Sequence, residues 1–222
     1  EYDMMEGDQF GALRDVTKLY GDGRDEVRGT NTDWQGLLYD SGQIVSHDVG
    51  VSGGSEGGSY IGGFGYYKEE SVLPGQSYER FSLRASLDQE IGRAFRIGFT
   101  TNNNYAITNG DNIGPGAALG MSPMVDPYDA DGNLKRTVNM GLIDDKWVYT
   151  RESINALGDK YVNLNRAFSS YNNIFAELKI PGVDGLKYRL NSGLNFRSSN
   201  NGYYEGQGVF DVNAATLSNA SI

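Results

Sequence analysis

Long stretches in which every second residue is apolar constrain this chain most. From Arg80 to Asp88, Phe81, Leu83, Ala85 and Leu87 share one side, while Arg80, Ser82, Arg84, Ser86 and Asp88 take the other. The pattern resumes with Phe95, Ile97 and Phe99 against Arg96, Gly98 and Thr100. It is cleanest near the C-terminus, where Leu186, Tyr188, Leu190, Leu194 and Phe196 form a stripe broken only by Ser192. Lys187, Arg189, Asn191, Gly193, Asn195 and Arg197 lie between them. Ile174, Ala176, Leu178 and Ile180 alternate with Phe175, Glu177 and Lys179 just before. A helix would place apolar residues at i, i+3 and i+4, so a period of two predicts strands.

Two further strands carry a weaker signal, one through Val45, His47, Val49 and Val51, the next through Tyr60 to Tyr67. The pattern predicts six strands in three hairpins: 43–54 with 58–70, 77–90 with 93–104, and 170–180 with 185–198. Short Gly- and Asp-bearing turns close them, at Gly54 to Gly58, Gln89 to Arg93 and Pro181 to Gly185, as tight reversals require. The remaining segments are long and irregular. The expected organisation is a loop region over 1–42, four strands over 43–104, a long loop over 105–169, a hairpin over 170–198, and the start of another loop over 199–222.

An apolar stripe suits either lipid or the core of a soluble sandwich. Three features favour lipid. The strands run for about 10–12 residues, against a mode of about 5–6 in soluble sheets. Tyr188 and Phe196 flank the stripe, about 20 Å apart along a membrane normal for a tilt of about 40°, near the span between aromatic girdles. The opposite face is densely charged, with Arg80, Arg84, Asp88, Arg96, Glu177, Lys179, Lys187, Arg189 and Arg197, and needs water. Short connections at one edge and long ones at the other also match an outer-membrane barrel, with long extracellular loops. The fold class expected is therefore all-β, an antiparallel transmembrane β-barrel segment; a secreted soluble β-sandwich that binds carbohydrate is the alternative.

Composition excludes other classes. The 222 residues hold 31 glycines, 15 tyrosines, 9 phenylalanines and no cysteine, which removes disulfide frameworks and the usual zinc sites. A formal net charge of −10 argues against nucleic acid as a partner. No run approaches the roughly 18 apolar residues of a spanning helix, whereas barrel strands need only about 9–11 alternating residues. No leader is visible at Glu1, so the expectation is a removed leader or an internal portion of a longer chain.

The order of motifs resembles the barrel region of SusC/RagA-type TonB-dependent transporters. Asn31-Thr32-Asp33-Trp34-Gln35 precedes Val51-Ser52-Gly53-Gly54-Ser55-Glu56, then the aromatic-glycine strand ending Tyr66-Tyr67-Lys68, then Tyr78 to Asp88. Tyr128-Asp129-Ala130-Asp131-Gly132-Asn133 and Gly182 to Arg189 follow. The resemblance implies a 22-stranded barrel in the bacterial outer membrane, with a plug that engages TonB. It also implies a SusD-like surface lipoprotein as partner and an oligosaccharide or oligopeptide as substrate. Neither plug nor TonB-contacting segment is found here, and six strands cannot close a barrel whose minimum is about eight.

The candidate contacts for ligand or partner are Trp34, Tyr128, Trp147 and Tyr149, aromatics of the expected outer loops that either stack on a solute or pack the loops together. Tyr203 and Tyr204 carry the same two readings. Asp126, Asp129, Asp131 and Asn133 supply oxygens to one loop, but the full EF-hand pattern is missing, and an Asp-Gly-Asn turn accounts for them. His47 is the only histidine, so no histidine-based triad can be assembled. Asp144 and Asp145 are adjacent and diverge on a strand. The glycines over 53–65 complete no phosphate-binding motif. The sequence thus predicts no enzyme, cofactor or metal site.

Overall fold

The computed structural model describes residues 3–17, 25–110, 113–140, 143–183, 185–210 and 219–221. Asp184 of the third turn, and the remaining residues of the three loop segments, lie outside the described residues.

Six long strands form one continuous antiparallel layer: β1 (Gln43–Ser55), β2 (Gly58–Glu70), β3 (Ser77–Ile91), β4 (Phe95–Asn109), β7 (Tyr161–Lys179) and β8 (Lys187–Glu205). A short β9 (Asn219–Ser221) follows β8, giving the order β1-β2-β3-β4-β7-β8-β9. The sheet is open, with β1 at one edge and β9 at the other. No helix among the described residues is long and apolar enough to cross a membrane, which says nothing of crossing by strands.

β1, β2 and β3 end within a residue of the spans the alternation predicts, whereas β4 starts at Phe95 and runs on to Asn109, five residues past 104. The third hairpin is longer than predicted at the end away from its turn: β7 begins at Tyr161 instead of 170 and β8 runs on to Glu205 instead of 198, each strand spanning 19 residues. Asn163, Asn165, Ser169 and Ser170 on β7, and Ser198 to Asn201 on β8, are polar whichever way they point. Hydropathy therefore loses the strand there, while the backbone ladder continues from Leu164↔Gly202 through Ser170↔Phe196.

Cross-strand register separates two faces. His47, Tyr66, Phe81, Tyr105 and Phe168 lie in one row of the apolar face. Nearer the turns, Tyr60, Leu87, Phe99 and Ile174 form another. No side chain of these rows is buried, and others of the same face are uncovered: Leu83 is 53% exposed, Leu190 58% and Leu194 71%. The buried apolar residues belong elsewhere. Every one of them among the described residues lies outside the six long strands.

They form the core of a cap at the end of the sheet opposite the hairpin turns. The cap comprises α1 (Gly7–Thr17), α2 (Trp34–Leu38), α3 (Gly116–Leu119), the hairpin β5 (Thr137–Met140) with β6 (Ile143–Trp147), and α4 (Arg151–Asn155). Trp34, Leu38, Ile113, Val125, Val138, Trp147, Val148 and Ile154 meet in one cluster. Such short helices gain little from propensity, and caps define them. Asp33 accepts the Gly36 amide at the start of α2, and Thr150 and Ser153 form a reciprocal capping box on α4. A buried Arg14–Glu26 ion pair, 2.7 Å long, holds α1 down. Gln76 at the foot of β3 donates to the Ile113 carbonyl at 2.8 Å, tying sheet to cap.

Candidate solute-facing surface

The polar face of β3, β4, β7 and β8 is arranged in tiers. Nearest the turns is a tier of charge pairs. Arg96 donates through Nε and Nη2 to the two carboxylate oxygens of Asp88, each at 2.7 Å. Glu177 receives Lys187 at 3.3 Å and Arg189 at 3.8 Å, and Lys179 lies 3.7 Å from Glu90. Arg189 also sits 4.0 Å over the centre of the Phe175 ring, a cation–π contact. Gly98 makes that packing possible, since a Cβ there would collide with the Phe175 ring. Paired charges of this kind keep a polar wall tolerable in a confined space.

Further from the turns the face changes character. Tyr171 stands in one cross-strand row between Asn102 on β4 and Asn195 on β8. Asn173 and Asn104 belong to the adjoining rows. Arg197 donates from Nη2 to the Tyr171 hydroxyl at 3.0 Å, and Arg197 is the one charged residue of this face on β4, β7 and β8 between the ion-pair tier and Glu205.

The candidate aromatics lie in the cap. Trp34 is 1% exposed, and its Nε1 donates to the Ser122 carbonyl at 2.8 Å. Trp147 is buried and meets Tyr149 edge-on, with centroids 4.8 Å apart. Phe210 closes this group, 5.1 Å from Trp147 and 5.6 Å from Tyr149. Tyr149 is half-buried, and burial raises its phenol above the usual range, with Glu205 and Tyr161 adding to the effect. Tyr128 stands apart. Its hydroxyl is 3.4 Å from Glu152, and burial followed by that carboxylate pushes its phenol up. The structure thus joins Trp147 to Tyr149, places Trp34 in the same core cluster, and leaves Tyr128 on the acidic loop. Tyr203 meets Tyr161 edge-on at 6.2 Å.

The acidic loop is a turn. One Asp129 oxygen accepts the amides of Asp131 at 2.9 Å and Asn133 at 2.8 Å. The Asn133 amide foremost holds the Asp129 carboxyl below its usual range. Among the described residues, no group of three or more His, Cys, Asp or Glu is placed to hold a metal ion. His47 stacks on Tyr66 within the apolar face, with centroids 6.4 Å apart.

No family model matches the chain. TonB-dependent receptor P3 of Formosa agariphila is 25% identical over 215 residues, covering 91% of this chain and 20% of the receptor. TonB-dependent receptor P26 of the same organism is 29% identical over 103 residues, 46% of this chain and 10% of the receptor. Among solved structures, the RagAB peptide importer in its closed-closed state aligns with a TM-score of 0.69 at 19% identity, covering 93% of this chain and 23% of that one. The chain is similar to the barrel wall of SusC-like TonB-dependent receptors. It spans 20% of the length of receptor P3, and at 19% identity the solved structure speaks for the fold alone. These relatives are receptors and an importer, not enzymes.

The candidate contacts that the sequence offers are loop aromatics, and Asn102, Tyr171 and Asn195 are not among them. The runs Asn102-Asn103-Asn104 and Tyr171-Asn172-Asn173 contain them, but only register reveals which of these residues share a face.

Proposed function

We propose that this chain is part of the wall of a TonB-dependent transporter in the bacterial outer membrane, which imports oligosaccharides or oligopeptides. The observation that carries this reading is the uncovered apolar face opposite a charged one. Most large apolar side chains of the sheet are exposed and none is buried, while the charged face is laced by ion pairs. Water penalises such an apolar surface by about 25 cal/mol per Å², whereas lipid tails welcome it. The scale agrees. Tyr105 and Phe95 of β4 are ten residues apart, which at about 3.3 Å per residue and a tilt of about 40° gives about 25 Å of membrane depth.

In this role the wall presents hydrocarbon outward and a wet passage inward. Other strands of a longer protein complete the barrel at the β1 and β9 edges, since an open edge in lipid leaves backbone groups unpaired. A plug engages TonB, and a SusD-like lipoprotein sits over the cap; the resemblance to SusC-like receptors and the RagAB importer supports both. Trp34, Tyr128, Trp147 and Tyr149 then serve the outer cap, two of them from within its core.

The test is fractionation and uptake with the whole protein in its own cell. The expected result is recovery in the outer-membrane fraction, release only by detergent, and nutrient uptake that stops when TonB is deleted. Recovery from the soluble fraction without detergent refutes the reading.

A further inference from the structure

We infer that Asn102, Tyr171 and Asn195 form a subsite for one sugar unit of an oligosaccharide without positive charge on the inner wall. This rests on the transporter reading and adds to it a place and a ligand chemistry.

The chain supplies its own control, because asparagines face both ways. On the apolar face, Asn103 donates to Thr101 at 2.8 Å, Thr101 to the Asn172 carbonyl oxygen at 2.7 Å, and Asn172 to the Ser170 hydroxyl at 2.8 Å. There the amides are spent on one another, as a surface without water demands. Asn102, Asn104, Asn173 and Asn195, on the polar face of the same strands, make no side-chain hydrogen bond with the described residues. Each retains two donors and a carbonyl acceptor for whatever passes.

Register arranges them around a ring. Adjacent strands lie about 4.8 Å apart, so the backbones carrying Asn102 and Asn195 stand about 10 Å apart with Tyr171 between them. Tyr171 is 40% exposed, and the Arg197 bond anchors its hydroxyl. An aromatic face flanked by two amides suits a pyranose, whose C–H face packs on the ring while hydroxyls at its rim reach the amides. An extended peptide fits less well, since it is read through pockets for alternate side chains. The neighbouring rows, Thr100-Asn173-Gly193 and Asn104-Ser169-Arg197, carry no aromatic ring, and the Arg197 guanidinium is engaged by Tyr171. Arg84 of β3 continues the row beside Asn102, and with no carboxylate on β4, β7 or β8 at this level the wall favours a ligand without positive charge.

The experiment uses the whole receptor purified in detergent. Its probes are a panel of uncharged hexaoses of glucose, galactose, mannose and xylose, with a capped Gly-Ser hexapeptide as the competing class. The expected result is binding of at least one hexaose, weakened about ten-fold by Tyr171→Ala and by the Asn102→Ala/Asn195→Ala pair. Tyr171→Phe, which keeps the ring, should bind within about three-fold of the parent. Outer-membrane level and heat-resistant migration of each variant report that the barrel has assembled. Unchanged hexaose affinity in assembled variants overturns the subsite, as does a parent that binds no hexaose or binds only the peptide. TonB-dependent uptake by the parent, measured separately, reports on the transporter reading independently.

Discussion

The Thr101 hydroxyl donates a 2.7 Å hydrogen bond to the Asn172 side-chain oxygen across the β4–β7 pair, on the face that otherwise carries Phe99 and Ile174. A polar pair on an apolar surface persists when each partner satisfies the other. Thr101→Val or Asn172→Leu alone strands a polar group and should cost about 1–3 kcal/mol, whereas the double substitution should cost less than the sum. Urea unfolding of the whole protein in lipid vesicles, run as a double-mutant cycle, measures the coupling. Additive losses would mean that the two side chains do not support each other.

Leu83 and Leu190 project from the apolar face and are uncovered. Replacing either with Arg should destabilise the membrane-inserted protein by about 2–4 kcal/mol if the site lies near the bilayer midplane, and less toward an interface. The same vesicle titration checks this. A change indistinguishable from zero at both positions would argue that this face meets water.

Trp34 belongs to the cap core and not to its surface. Trp34→Ala should cost about 3–5 kcal/mol of local stability, as for other buried large aromatics. The loss should appear in hydrogen exchange as faster exchange of amides over 113–157, with β3 and β4 unaffected. Trp34→Phe should retain most of the packing and lose the bond to Ser122. Equal protection in all three proteins would contradict the packing role.

Asp129 gives the cap a pH dependence of predictable sign. Its carboxylate accepts backbone amides and is held below the usual carboxyl range. The folded form thus binds its proton less readily than the unfolded chain. The stabilisation is fully present above the unfolded value of about 3.9 and is lost as pH falls through the lower folded value. Exchange of the Asn133 amide should be slow at neutral pH relative to Asp129→Ala, and that difference should vanish in acid. A difference that survives below the folded value would assign the protection to something other than the carboxylate.

What the sequence makes legible is governed by contrast. β3 and β4 were readable because Leu83 differs from Arg84 and Phe99 from Thr100. The outer third of β7 and β8 was not, since Asn165 and Ser170 resemble their neighbours in hydropathy and leave only the ladder Leu164↔Gly202 to Ser170↔Phe196 as witness. The cap was less legible still. Trp34 bonds to Ser122 across 88 residues, and no local period announces a partner so distant. The subsite is illegible for a related reason, as three successive asparagines carry no sign of which one turns inward.

That triplet has a consequence for assembly. Sliding β4 by one residue against β7 would exchange the two faces, yet at Asn102 to Asn104 the same chemical group would still be presented on both. The asparagines therefore cannot vote on alignment. Phe99 and Tyr105, on either side of them in the strand, must hold the correct setting. Bulk at those two places fixes the identity of the amides available to a passing solute.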